Sequence, residues 1–568
     1  MLSVLSLTGS GYFTVLIGTS ILFVLLLPIW TLAFSTMNFN ATINRDGKGI
    51  PPPTVPYSIP IVAHLFGLIW SPVDFVMKTL SQYGWERPLQ IRLGHFQVTI
   101  VSNPAHIATI FRSSKQLTSK TAALFSLKYL LNTPPSSISF YDADNSGMAT
   151  TPARGSTVEH VNRIHFHQAR TAQRFLSSQH LLSLSQRYAD TLNRNLQGLD
   201  KCHNGNWVEY NDLYHFLQVQ VARAAIETLM GSKILEMNPD LIEDFWRFDT
   251  NVPNFLRCFP RWMIPSAYRA RERLIANIKQ WHAYAHANTD CSKVEDDDPE
   301  WEPYFGSKLI RARQSYSVKM KPMNADARAS EDLGLLMAAN GNAVPSIFWF
   351  LYETLENENL QQRLMSEVSS CTSSAGIDIS ALLAQPLLQS TYAEVLRLRV
   401  AIAMTRVSES EAFQLGGYKI PAGQPFIIFS RPPALNREAW ALAGREHAIK
   451  APLDEFHADR FLIPPLPSTE QKTQQEAYAI RPIGAKAEFS LEGLAGCWIP
   501  YGGGQRMCPG RHFAKAEMIS TVALLLSQYD IQVLPTGPSR AKPDLRWFPV
   551  GALPPAGKVP FRMRKKVP

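Results

Sequence analysis

No two of the six cysteines (Cys202, Cys258, Cys291, Cys371, Cys497 and Cys508) stand in a Cys-x-x-Cys spacing. A disulfide framework and a structural zinc site are therefore both disfavoured, and a reducing, cytosol-facing compartment fits best. A net charge of +9 comes without any long Lys/Arg run of the kind that tracks phosphates along nucleic acid. The basic balance reads as a solvated surface, or as a face that docks on anionic lipid or an acidic protein partner. No internal repeat is present. Charged side chains are also missing from Tyr12 to Phe34, a stretch of 23 residues.

As a helix that stretch spans roughly 34 Å, enough to cross a bilayer. A cleaved signal peptide is the competing reading, but its apolar core is usually about 7 to 15 residues long, and no basic segment precedes this one. Arg45 and Lys48 are the first basic residues beyond the span and Met1 to Gly11 has none, which orients the bulk of the chain toward the cytosol. The sequon Asn40-Ala41-Thr42 would be usable only if that side faced the lumen. Residues 1–45 thus read as a membrane anchor with its flank. A proline-rich, semi-rigid connector follows at 46–60, opening a catalytic domain at 46–568.

With 568 residues, 45% of them hydrophobic, and 12 Trp, 18 Tyr and 29 Phe, a large packed core is expected and disorder is not the default. Length alone allows several domains or one large core. Ser71-Pro72-Val73-Asp74 opens a short helix that stops at Gly84. PLQIRLGHFQVTIVSNP alternates apolar and polar residues about Gly94-His95 and reads as a β-hairpin ending at Asn103-Pro104. Apolar residues at three- and four-residue spacing predict helices over 160–198, 209–231, 266–287, 331–368 and 508–529. The acidic, proline-broken segment near residue 295 reads as a surface loop, not a metal site.

The most specific pattern is Tyr501-Gly-Gly-Gly-Gln-Arg-Met-Cys508-Pro-Gly510, followed by an amphipathic run. It places Cys508 at the head of a helix, where backbone N–H groups and the macrodipole favour a thiolate. Gly504 and Gly510 permit close approach of a flat, bulky group, and Arg506 can pair with an acidic substituent on it. A haem with propionates meets both demands. Taken alone, glycines before a helix could cradle a phosphate, and a buried cysteine is often only a small hydrophobe. No Walker lysine or dinucleotide fingerprint accompanies them.

Tyr501 through Gly510 resembles the haem-binding loop of the cytochrome P-450 superfamily, eukaryotic microsomal type, with Tyr501 where that family usually has Phe. The resemblance extends to Glu394-x-x-Arg397 and to Phe456-His-Ala-Asp-Arg460-Phe461, and implies a buried network of Glu394, Arg397 and Arg460 that holds the cysteine loop. It implies a mainly α fold with small β-sheets, a single large haem fold behind one N-terminal transmembrane helix. It further implies haem iron ligated by the Cys508 thiolate, with Tyr501, Gly504, Arg506, Gly510 and Arg406 around the cofactor. The family's Trp-x-x-x-Arg is not found near Arg163 and Arg170. The tail from Gly551 to Lys566 resembles the family's C-terminal hairpin.

The oxygen-side helix of the family aligns with residues 331–357, where Asn342 and Ala343 replace the usual acid and threonine. Pro345 deprives the Gly341 carbonyl of its helical donor, leaving a polar groove at Gly341, Asn342 and Ala343 as the expected catalytic residues. Gly341-Asn342, Pro345 and Phe348-Trp349 resemble the branch that holds sterol 7α-hydroxylases and prostacyclin synthase. The expected activity is a monooxygenase, fed by an NADPH-dependent reductase and dioxygen, that oxidises a lipophilic terpenoid, sterol or other specialised metabolite at the endoplasmic reticulum membrane. Arg511 and Lys515 are candidate reductase contacts, and no nucleic-acid partner is expected. A reductase-independent isomerase or dehydratase acting on a peroxide is the alternative. A haem-binding sensor or carrier is the alternative of another class.

Overall fold

The computed structural model describes residues 2–45, 49–199, 205–374, 376–463, 487–535 and 540–566, so Lys48 and Cys202 lie outside the described residues. The chain forms two compact units by contact: residues 1–119, 403–439 and 495–497 in one, and residues 120–402, 440–494 and 498–568 in the other.

The first unit begins with the helix Leu2–Ile43. Its portion Leu16–Ile43 has a mean hydropathy of 2.2 and no buried share, and it is long and apolar enough to cross a membrane. Leu22, Phe23, Leu25 and Trp30 are all exposed along it, an arrangement that water penalises and hydrocarbon does not. At its base the Ser35 hydroxyl donates to the Tyr57 carbonyl at 3.0 Å and accepts the Tyr57 N–H at 3.1 Å, tying the proline-rich connector to the helix.

The expected short helix is Pro72–Tyr83, stopped by Gly84 at φ +92°. Its Ser71 makes no side-chain cap; the Ser71 carbonyl instead receives the Phe75 N–H at 2.9 Å. Leu89–Leu93 and Phe96–Ile100 form the hairpin in the expected register, Leu89 opposite Ile100, around Gly94 at φ +64°. Asn103 then caps the next helix, Pro104–Arg112, accepting N–H bonds from Ala105 and His106. Phe96–Ile100 pairs in parallel with Pro425–Phe429, which runs antiparallel to residues 403–407.

The second unit is helical. Leu213–Met230, Pro265–Asn288 and Arg511–Gln528 match their expected spans within a few residues. The stretch 160–198 divides into Ile164–Phe175 and Ser178–Gln197, because Ser177 takes extended backbone angles. The stretch 331–368 divides into three: Ala325–Asn340, Ala343–Leu355 and Glu358–Ser370. The second division has a local cause, since the Asn357 side chain leaves the helical pattern to cap the Leu360 N–H at 3.0 Å.

Ala343–Leu355 is buried all round except at its last residue, as its sequence AVPSIFWFLYETL requires. The closing strand is Phe561–Lys565, with Phe561 and Met563 inward and Arg562 and Arg564 outward, paired with Tyr529–Val533. Val550–Ala552 pairs with residues 400–402. Near residue 295 the acidic segment is a loop tied by ion pairs such as Lys308–Glu300 at 2.9 Å. Among the described residues no group of His, Cys, Asp or Glu could hold a metal ion by itself.

Candidate active site

Glu394 lies on the helix Pro386–Arg399, whose sequence PLLQSTYAEVLRLR buries its middle on every side. Its carboxylate receives Arg397 Nε at 2.7 Å, Arg460 Nε at 2.9 Å and the His457 N–H at 2.9 Å, with all three charged side chains removed from water. Against the upward push of burial, Arg397 and then Arg460 hold the Glu394 carboxyl below its usual range. The arginines spend their remaining N–H groups on carbonyls of residues 448–455, including Leu453 at 2.6 Å and Pro452 at 2.7 Å. A pair that spacing alone would place on a helix surface is thus a closed buried network.

Just before Glu394 the same helix grips the cysteine loop. The Tyr392 and Tyr501 hydroxyls meet at 2.7 Å, and Trp498 Nε1 donates to the Ala393 carbonyl at 3.0 Å. Tyr392 and Trp498 carry no motif and were not foreseen; only the hydroxyl of Tyr501, where a phenylalanine is usual, hints that a polar partner waits.

Within the loop, Gly502 at φ +71° and Gly504 at φ +70° make left-handed turns that a side chain would strain. The loop closes through the Cys508 N–H to the Tyr501 carbonyl at 3.0 Å. The following helix starts at Arg511, so the sulfur precedes its first turn instead of lying in it. Backbone N–H groups of Gly510 and Arg511, with the Arg511 charge, favour a Cys508 thiolate, but burial outweighs them and pushes the thiol up. Such a half-buried sulfur becomes anionic when a metal cation shares its site. Gly504, Arg506 and Met507 beside it are exposed, leaving one face of the loop open. Donor type and open face together fit a flat, metal-bearing group.

The positive charge of Arg506 is felt at His165, on the helix Ile164–Phe175, whose pKa falls through burial first and through this neighbour second, against Asp144. His165 was missed by attention to the arginines around it. Arg163 is buried and donates to Ser146 Oγ at 3.0 Å and the Thr150 carbonyl at 2.8 Å, holding its own loop; Arg170 is exposed. In the other unit, Arg406 is buried on the strand Val400–Val407, donating to the Thr405 carbonyl at 2.8 Å, with its guanidinium 5.7 Å from the Phe111 ring. Lys515, expected as a docking charge, is half-buried and donates to Gln389 Oε1 at 2.6 Å; burial lowers its pKa to about 8.

The long helix is split at Gly341-Asn342, where Pro345 cannot donate to the Gly341 carbonyl. Ser346 turns back on the Asn342 carbonyl through its N–H at 3.3 Å and hydroxyl at 2.8 Å. The Asn342 side chain, expected to line a groove, accepts the Ala552 N–H at 2.8 Å and so fastens the strand Val550–Ala552. Trp349 Nε1 reaches the next carbonyl along, Leu553, at 2.6 Å. Ala343 is buried and brings no hydroxyl.

The sequence profile described as Cytochrome P450 matches residues 52–445 and 490–560. "Cytochrome P450 monooxygenase fsoE" of Humicola fuscoatra is 31% identical over 579 residues, covering 99% of this chain and 96% of its own length. "Cytochrome P450 monooxygenase efuG" of Hormonema carpetanum is 32% identical over 527 residues, 90% of each chain. "Cytochrome P450 7A1" of Rattus norvegicus is 25% identical over 440 residues, 73% of this chain and 77% of its own, which agrees with the resemblance of the split helix to the sterol branch. Since profile and relatives run through both the cysteine loop and the Glu394 helix, the chain belongs to the cytochrome P450 family and is an oxidoreductase of the monooxygenase kind.

Proposed function

We propose that Cys508 ligates the iron of a haem and that the enzyme hydroxylates, or otherwise oxidises, a lipophilic small molecule of the sterol or terpenoid type in specialised metabolism. The observation that carries the reading is the half-buried sulfur in a loop that is exposed at Gly504, Arg506 and Met507 and clamped to its neighbouring helix at Tyr392 and Ala393. Bound there, the haem supplies oxygen-activating redox chemistry. Arg506 and His165 are the groups to neutralise its propionates, while Gly504 and Gly510 keep side chains off its face. The Glu394 network keeps the sulfur in place and takes no part in bond making.

Electrons come from an NADPH-dependent reductase and the oxygen from dioxygen. Lys515 is turned inward, so Arg511 and the exposed His512 remain as docking groups near the loop. The exposed apolar helix supports single-pass anchoring in the endoplasmic reticulum with residues 46–568 as a cytosolic catalytic domain. Similarity to proteins named cytochrome P450 7A1 and cholesterol 7-alpha-monooxygenase favours a rigid polycyclic substrate.

The test is a reduced, carbon monoxide difference spectrum of wild type and Cys508→Ala, followed by incubation with extracted lipophilic metabolites with and without reductase and NADPH. Loss of the thiolate spectrum in the variant and reductase-dependent product are expected. Unchanged ligation without the Cys508 side chain refutes the site. The buried Ala343, where a hydroxyl is usual, favours a second reading: isomerisation or dehydration of a peroxide, which would yield product without reductase.

A further inference from the structure

The split helix carries no acid at the positions where one is usual, yet a carboxyl stands against the break. Asp249 is the last residue of the helix Leu241–Asp249 and only 2% exposed. A Cβ built on Gly341 would lie 2.7 Å from Asp249 Oδ1 and 3.6 Å from its Cγ, so the carboxyl occupies the space that any side chain at 341 would need. Among the described residues that oxygen is buried without a hydrogen-bond partner, and one residue before the break Asn340 Oδ1 is buried in the same condition.

Among the described residues no cation answers Asp249. On the packed helix Pro265–Asn288, Arg273 is committed to Asp244, with Nε at 2.7 Å from its Oδ2, and Arg271 to the Tyr129 and Leu130 carbonyls. On Leu213–Met230 the neighbouring titratable group is Tyr214, which is raised further by the Asp249 charge, while the capping Asp212 accepts the Tyr214 N–H at 3.1 Å. Burial alone raises the Asp249 carboxyl to about 7. An unpaired buried carboxylate is costly, whereas the neutral acid is tolerated and can give up its proton near neutrality.

We propose that Asp249 supplies, from a neighbouring helix, the carboxylic acid that the split helix lacks at Asn342 and Ala343, and that it delivers protons to the break at Gly341. The inference rests on the monooxygenase reading, in which each turnover consumes two protons and two electrons with one dioxygen and releases one water. In the step itself the carboxyl O–H bond breaks and the proton passes to a water molecule at the break. The carboxylate is then reprotonated from solvent, and no electron moves. Asp249 is a positioning and proton-holding residue, and Gly341 is glycine because the carboxyl must come this close.

The test uses full-length haem-loaded protein as wild type, Asp249→Asn and Asp249→Glu. Infrared difference spectra across about pH 5 to pH 9 should show a protonated-carboxyl C=O band in wild type that shifts in deuterium oxide, vanishes on titration and is missing in Asp249→Asn. With reductase, NADPH and dioxygen, Asp249→Asn should consume NADPH at least about tenfold more slowly, with a larger solvent isotope effect, while Asp249→Glu recovers much of the rate. Asp249→Asn with wild-type turnover, isotope effect and pH profile overturns the proposal, as does a wild type with no such band. Loss of the carbon monoxide spectrum in Cys508→Ala is scored separately, so a failed haem assignment and a failed proton donor give different results.

Discussion

Glu394→Gln keeps the shape of the side chain and removes its charge. In the wild type, two guanidinium groups and a backbone N–H converge on this carboxylate at 2.7 to 2.9 Å, and none of the three side chains reaches water. After the substitution, Arg397 and Arg460 stay tethered to carbonyls of residues 448–455 as two uncompensated buried charges. The expected cost is about 3–5 kcal/mol, because removing one partner strands the other. At roughly 1 °C per kcal/mol for a chain of this length, the apparent Tm should fall by about 3–4 °C. Scanning calorimetry at one fixed rate suits a chain of this size, which is expected to unfold irreversibly. Haem content is read in parallel from the carbon monoxide spectrum. Glu243→Gln is the control: its partner Arg247 is 41% and Glu243 itself 69% exposed. Exposed pairs of this kind contribute at most about 1 kcal/mol and usually less. If Glu394→Gln keeps wild-type Tm and haem content, the network does not hold the cysteine loop and the argument for it is wrong.

Tyr501→Phe leaves the buried Tyr392 hydroxyl without its partner and should cost about 1–3 kcal/mol in thermal denaturation, much of which the double variant with Tyr392→Phe recovers. Asn342→Ala frees the Ala552 N–H, and hydrogen exchange at Ala552 should accelerate while exchange within Pro386–Arg399 stays slow. For Asp249, the folded carboxyl at about 7 keeps a proton that the unfolded chain surrenders near 3.8. Its contribution is therefore fully present at low pH and lost as pH rises through about 7. At about 1.4 kcal/mol per pH unit, Asp249→Asn should gain up to about 4 kcal/mol on wild type between about pH 4 and pH 7, read from denaturation across that range.

The parts legible in the sequence are those with a local signature. The hairpin about Gly94, the break at Pro345, the alternating closing strand and the Glu394–Arg397 pair each follow from spacing within a few residues. Joining Arg460 to that pair needed the family resemblance, and the structure brings the three together. What was not legible depends on partners far along the chain. Nothing about Asn342 reveals that a strand 210 residues later takes its amide oxygen. Nothing about Asp249 reveals that a glycine leaves room for it. The bond from Lys515 to Gln389 was not legible either, because a lysine on an amphipathic helix can lay its stem on apolar surface and turn its nitrogen to a polar neighbour. Ser71 looked like a cap by type, but its hydroxyl is not the group used.

The last stretch of chain joins the split helix to the Glu394 helix within the helical unit. The Ala552 N–H goes to Asn342, the Leu553 carbonyl to Trp349, and the Leu553 N–H to the Arg399 carbonyl at 2.8 Å. The split helix and the end of the Glu394 helix thus share one strand as their common support. Leu553, Phe561 and Met563 of the same tail are fully buried. Each such side chain contributes about 1.5–3 kcal/mol and each bond about 1 kcal/mol. Together they approach the whole margin of about 5–15 kcal/mol that keeps a domain folded. A chain cut after Phe548 should therefore fail to bind haem even though Cys508, Glu394, Arg397 and Arg460 all remain, and chymotrypsin should degrade it within the split helix, at Phe348, Trp349, Phe350 or Tyr352. Haem incorporation by that truncated chain at the wild-type level would show that the tail merely covers a site assembled without it.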